Sequence, residues 1–111
     1  MEIKSKISGN TLICYVKGEL DHHTCDHFRD YIDYNLENNP VKHLILDLSQ
    51  LEFTDSSGIG VLIGRYKKVS GLGGKVAVVK EKRQVSKVFQ ISGIYEIIPS
   101  FSSIEQALKE L

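Results

Sequence analysis

The amino-acid sequence predicts a single α/β domain: a mixed five-stranded sheet, opened by an N-terminal hairpin, carrying four helices in the order ββαβαβαβα. Three observations lead there. Two strand-like segments at the start are followed by a regular exchange of helix-like and strand-like hydrophobic periods. The chain has 111 residues, the common size of one domain. It holds no internal repeat, low-complexity tract or linker, so residues 1–111 read as one unit.

The elements follow in order. Ile3, Ser5 and Ile7 alternate with Glu2, Lys4 and Lys6, the pattern of a half-buried strand. Gly9-Asn10 offers a two-residue hairpin turn. Beyond it, Leu12-Ile13-Cys14-Tyr15-Val16 is apolar on both faces and belongs inside the sheet. After Gly18-Glu19-Leu20-Asp21 breaks the pattern, Cys25, Phe28, Ile32 and Leu36 recur at helical spacing with Cys25 turned to the core. Asn38-Asn39-Pro40 ends that helix. Leu44 to Leu48 is the next buried strand, and Ser49 to Thr54 reads as a short loop. A second helix starts at Asp55-Ser56-Ser57-Gly58. At about 100° per residue, Ile59, Leu62, Ile63, Tyr66 and Val69 share one face, with Gly60, Val61, Gly64, Lys67 and Lys68 opposite. Gly71-Leu72-Gly73-Gly74 turns the chain into a strand, Val76 to Val79. Val85, Val88 and Phe89 mark a third helix closed by Ser92-Gly93. Ile94 to Ile98 reads as an edge strand stopped by Pro99. Ser102 and Glu105 form a capping box for a last helix with Ile104, Ala107, Leu108 and Leu111.

Composition excludes several function classes. Lys plus Arg total 14, balanced by 14 Asp plus Glu, so the net basic surface of a nucleic-acid binder is missing. The apolar run Ile59 to Ile63, flanked and broken by glycines, is far too short to span a bilayer. No leader sequence is expected, and two cysteines, Cys14 and Cys25, suit a reducing cytoplasm better than a disulfide scaffold.

The Asp55-Ser56-Ser57-Gly58 turn stands out for its chemistry. Asp and Ser are preferred helix N-caps, so capping alone explains one of these residues, worth about 1 kcal/mol. Three polar side chains and a glycine exceed that need. The turn also lies past the carboxyl end of a buried strand, where open α/β sheets place their sites. Gly60 and Gly64 lie on the outward face of the helix, each costing about 1 kcal/mol against alanine. That expense implies close approach to the backbone, by a partner or by another helix of the same chain.

Phe53-Thr54-Asp55-Ser56-Ser57-Gly58-Ile59-Gly60, continuing to Lys67, resembles the signature of the STAS domain in bacterial anti-sigma factor antagonists. Gly18-Glu19-Leu20-Asp21-His22-His23-Thr24 is similar to the sporulation branch acting on the sigma-F pathway. The resemblance runs the length of the chain and implies a protein-binding switch, not an enzyme, with no cofactor of its own. It implies that Ser56 is phosphorylated by an anti-sigma factor that is also a serine kinase using ATP. In the unphosphorylated state that partner is bound and the sigma factor, touched only indirectly, is freed; a metal-dependent phosphatase resets the switch. Asp21, His22, His23, Asp55, Ser57, Gly58, Ile59, Gly60, Val61 and Gly64 are the implied contact residues. Thr54 departs from the apolar residue frequent at that position and adds a second hydroxyl. A stress-response antagonist with other partners is the alternative within the family.

Other constellations are weaker. His23 and His27 stand at i, i+4 spacing, but no distant ligand pair completes a metal site. Gly58-Ile59-Gly60 with Glu81 mimics a dinucleotide fingerprint. Ile63, however, occupies a position that wants Gly or Ala, and six residues separate the strand from the turn. A catalytic Ser56 has His22 or His23 as its candidate base, but no elbow motif supports hydrolase chemistry.

Overall fold

In the computed structural model, which describes residues 1–111, strand β1 (Glu2–Ser8) folds back on β2 (Thr11–Leu20) through Gly9-Asn10. Gly9 takes a φ of +59°, the left-handed value a two-residue hairpin loop asks of glycine. Strands β3 (His43–Thr54), β4 (Val76–Val79) and β5 (Ser100–Phe101) then add in parallel, giving the order β1-β2-β3-β4-β5. Helices α1 (Cys25–Glu37), α2 (Ser56–Gly71) and α3 (Arg83–Ser92) connect the parallel strands, and α4 (Ile104–Glu110) follows β5. The expected order ββαβαβαβα is the observed one.

Burial explains the strand patterns. Leu12, Cys14 and Val16 pack with Leu44 and Leu46 against α1, α2 and α3 in one large cluster. Ile13, Ile45, Ala77 and Val79 lie on the other face with Ala107 of α4. The central strands are covered twice, so their sequences lack a polar face. Phe28, Ile32 and Leu36 are buried as their spacing predicts, whereas Cys25, at the first turn of α1, is only half-buried. No helix is long and apolar enough to cross a membrane.

Three local expectations are corrected. Ser49 to Thr54 is not a loop but the second half of β3. Register shifts against β2 at Tyr15/Lys17 and Gly18/Glu19 bend the strand there, so Leu51 and Thr54 are buried while Ser49, Gln50, Glu52 and Phe53 are exposed. An irregular pairing of this kind erases the two-residue period that identifies a strand. Ile94 to Ile98 is not an edge strand. Gly93, at φ +78°, caps α3, and a 3-10 turn follows over Ile94–Glu96. Ile94 and Ile98 are both buried at a spacing of four, and Ile98 N–H donates to the Ile94 carbonyl at 2.9 Å. The edge strand is Ser100–Phe101, past Pro99. Finally, α4 is capped one residue later than expected: Ser103 accepts from Gln106 N–H at 3.0 Å, while the Gln106 side chain accepts from Ser102 N–H at 3.0 Å.

The end of the molecule away from the strand carboxyl termini is closed by a tight pass of backbone. A Cβ on Gly74 would lie 1.6 Å from the Lys42 carbonyl oxygen. Next to it, Lys75 N–H donates to His43 Nδ1 at 2.9 Å, which requires an unprotonated nitrogen. Burial first, then the charges of Lys42 and Lys75, push the His43 pKa below its ordinary value. The folded chain therefore binds this proton less readily than the unfolded one. The contact stabilises fully above the unfolded value of about 6.5 and is lost as pH falls through the lower folded value. Replacing His43→Asn, which keeps an acceptor without a titrating ring, should flatten the decline of Tm between about pH 7 and about pH 5. An unchanged slope in thermal melts would contradict this role.

Candidate functional site

Because β3 runs to Thr54 and α2 begins at Ser56, Asp55 is the whole connection between them. Its backbone is extended, and its two carboxylate oxygens point to different elements. Oδ1 accepts from Gly58 N–H at 3.1 Å, capping α2. Oδ2 accepts from His22 N–H at 3.3 Å. One side chain thus joins the two motifs that lie far apart in sequence.

The partner segment, Asp21 to Thr24, is a closed turn at the end of β2. Asp21 Oδ1 accepts from the N–H groups of His23 (2.9 Å) and Thr24 (3.2 Å). The Thr24 hydroxyl donates to the Glu19 carbonyl at 2.8 Å and accepts from Asp21 N–H at 3.0 Å. Desolvation works to raise the Asp21 pKa, but the His23 and Thr24 N–H bonds, with the Thr24 hydroxyl 3.3 Å from Oδ1, outweigh it and hold the carboxyl below its usual range. His22 and His23 are both exposed, their rings edge to face with centroids 5.5 Å apart. Cys25 sits beneath this turn, with Sγ 3.6 Å from the His22 carbonyl oxygen.

Ser56, the first residue of α2, is exposed, and Ser57 is half-buried. The rival hydroxyl is sealed: Thr54 is 2% exposed and its Oγ1 has no hydrogen-bond partner. Gly58 is a glycine by necessity, since a Cβ there would lie 2.2 Å from Thr54 Oγ1 and 2.5 Å from the Leu20 carbonyl oxygen. Gly58 is buried and Ile59 is only 9% exposed. Both were expected on the contact surface; the geometry puts them underneath it.

Gly60 is exposed, Val61 and Gly64 are partly so, and a Cβ on either glycine would meet nothing within 4 Å. No helix of this chain approaches them, which removes intrachain packing as their explanation. Lys68, expected outward, bonds Glu37 of α1 at 2.7 Å. Arg65, unassigned by the sequence pattern, is buried with Nε 3.2 Å from Asp33 Oδ1 on α1. Burial lowers its pKa against the pull of Asp33. Its position three residues after Leu62 and four before Val69 was the signal available. Phe53, 48% exposed just before Thr54, is a further apolar contact candidate that the site reading left out.

The dinucleotide reading needs one correction, because a single residue, not six, separates strand from helix. Its other requirements fail. None of the surface cavities is lined by residues 55–60. Glu81 Oε2 is taken by the hydroxyls of Tyr95 and Ser100, each at 2.6 Å. No three His, Cys, Asp or Glu side chains converge on a common point anywhere in the chain.

Comparison with known proteins agrees with this geometry. The STAS domain family matches residues 2–107. The anti-sigma F factor antagonist of Paenibacillus polymyxa is 37% identical over 111 residues, covering 100% of this chain and 95% of that protein. The anti-sigma factor antagonist SpoIIAA in its unphosphorylated form superposes with a TM-score of 0.83 at 27% identity, over 98% of this chain and 95% of that one. The Bacillus cell fate determinant SpoIIAA in the phosphorylated form gives a TM-score of 0.74 at 26% identity, over 98% of both chains.

Two substitutions separate the buried layer from the surface layer. Thr54→Val removes an orphaned buried hydroxyl and should leave stability unchanged or raise it by up to about 1 kcal/mol. Gly58→Ala should cost about 2 kcal/mol or more, because Leu20 backbone stands in its way. Denaturant midpoints test both; a neutral Gly58→Ala would show that the α2 terminus is not pressed down as described.

Proposed function

The chain belongs to the STAS domain family, and on that premise we propose that it is an anti-sigma factor antagonist switched by phosphorylation of Ser56. Unphosphorylated, it binds an anti-sigma factor with serine kinase activity and so frees a sporulation sigma factor. Phosphorylated at the expense of ATP on the kinase, it lets that partner go. A metal-dependent phosphatase restores the first state, in the cytoplasm, and the chain itself catalyses nothing. The observation that carries this reading is the placement of Ser56: an exposed hydroxyl at the first residue of a helix, on a surface already organised by Asp55 and the Asp21–Thr24 turn. The contact surface is drawn from Asp21, His22, His23, Asp55, Ser57, Gly60, Val61 and Gly64, extended by Phe53. The relatives named above as anti-sigma F factor antagonist and SpoIIAA support the same assignment.

The physics separates effects on the fold from effects on the partner. A phosphate brings about −1.5 to −2 charge and three acceptor oxygens. Free N–H groups and the dipole at the start of α2 receive that charge, so the fold is kept. A docked surface has no such accommodation. Like charges forced together cost several kcal/mol, and about 2.8 kcal/mol is already a hundredfold in affinity.

The direct experiment is incubation with the cognate kinase and ATP. Ser56→Ala should abolish labelling while retaining binding, and Thr54→Val should be labelled normally. Label persisting at residue 56 is impossible in the alanine variant, so label transferred to Thr54 or Ser57 would overturn the assignment. Amide NMR of the phosphorylated form should show changes confined to the Asp21–Thr24 turn and the first turns of α2; shifts throughout the sheet would mean refolding instead of a block. Gly60→Ala should raise stability by about 0.5–1 kcal/mol, since the space is open and alanine favours helix. The same variant should weaken partner binding, and a gain in both would remove α2 from the interface.

A further inference from the structure

A phosphoryl group on Ser56 would enter an acidic neighbourhood. Asp55 precedes it, Asp21 lies in the turn bonded to Asp55, Asp26 is in the first turn of α1, and Glu19 is the last residue but one of β2. The Asp21–Thr24 turn carries no Lys or Arg; its basic side chains are His22 and His23, and His27 follows on α1. Fixed cations on the flanking elements are already engaged. Arg29 holds Asp26 and Asp30, Arg65 holds Asp33, Lys68 holds Glu37, and Lys82 holds Glu52. Lys67 is three turns along α2, about 16 Å from Ser56, beyond the screening length at physiological salt. Lys17 on β2 and Arg83 and Lys87 on α3, exposed and in no ion pair, are the fixed cations left to weigh.

His22 is placed differently from all of these. Its own backbone N–H is bonded to the Asp55 carboxylate, so its side chain begins one hydrogen bond away from the residue that precedes Ser56. Its side chain is exposed. We infer that His22 is the counter-ion of phosphorylated Ser56, its imidazolium partly neutralising the phosphoryl group within the chain. This inference rests on Ser56 being the phosphoacceptor.

The chemistry of the pair makes the consequence specific. The second ionisation of a phosphoserine falls near pH 6. A cationic imidazole favours the dianion, so the phosphate gives up its second proton at lower pH than it would without His22. Asp21, Asp26, Asp55 and Glu19 act in the opposite direction, and His23, in edge contact with His22, adds a smaller term of the same sign. The charge displayed to a partner would then vary with pH across neutrality.

Genetic incorporation of phosphoserine at position 56 allows the test without any kinase, so a failure of the kinase reading leaves this experiment standing. The probe is the 31P titration of the full chain. In His22→Gln the phosphate midpoint should rise by up to about 0.5 unit, the size of shift that a unit charge at ~6 Å exerts in water on the one charge gained in the second ionisation. His23→Gln should give less than half of that, Arg83→Gln no resolvable change, and added salt should shrink the His22 effect. A His22→Gln titration superimposed on the parent overturns the assignment, as does a larger displacement in Arg83→Gln or His23→Gln.

Discussion

Asp55 is the joint on which the exposed surface is built. A single carboxylate closes the first turn of α2 through Gly58 N–H and holds the β2–α1 turn through His22 N–H. Its capping share is about 1 kcal/mol, modest beside total stability, but the geometric consequence is larger. With the connection reduced to one residue, α2 leaves β3 at once and its first turn is drawn onto the sheet. Thr54 and Gly58 go under, Ser56 stays out. The same contact ties the 21–24 turn to the start of α2, just beyond the Glu19–Phe53 and Leu20–Thr54 pairs of β2 and β3.

Behind that joint, α1 and α2 are clamped by Arg65 on Asp33 and by Lys68 on Glu37. The first pair is largely withdrawn from water, so each member depends on the other: a buried charge left alone is costly, whereas an exposed pair is worth little. Helix α2 therefore has a fixed underside, while its outer side is weakened by Gly60 and Gly64 with nothing of the chain against them. Residues chosen for stability would not be glycine at those positions. Local destabilisation beside a rigid clamp is the pattern expected where a surface has to admit another backbone.

Most of the architecture was legible because burial leaves a periodic trace. Leu12 to Val16 and Val76 to Val79 lack polar residues since helices cover both faces, and Phe28, Ile32 and Leu36 repeat with the helical period. The trace failed where the backbone departs from regular geometry. The bent pairing of β2 with β3 let Ser49, Gln50 and Glu52 sit in a strand with the look of a loop. Ile94 and Ile98 have strand-like chemistry but are packed through a turn. At the candidate site, the 55–58 turn stands out by residue type, whereas Ser56 as acceptor and the 21–24 turn as its neighbour rest on the family resemblance. The separation of surface from core could not be read from residue type, since Gly58 and Ile59 lie within the same short motif as Ser56.

The sequence by itself determined the element order and the extents of α1 and α2, because these follow from local propensity and from periods of two and of about 3.6 residues. Only the tertiary structure decided that Thr54 is closed off while Ser56 is open, that Arg65 is a buried clamp, and that His22 meets Asp55. The reason is physical. Exposure and long-range hydrogen bonding depend on which backbone lies above a residue, and that is settled by how β2 and β3 are paired and bent.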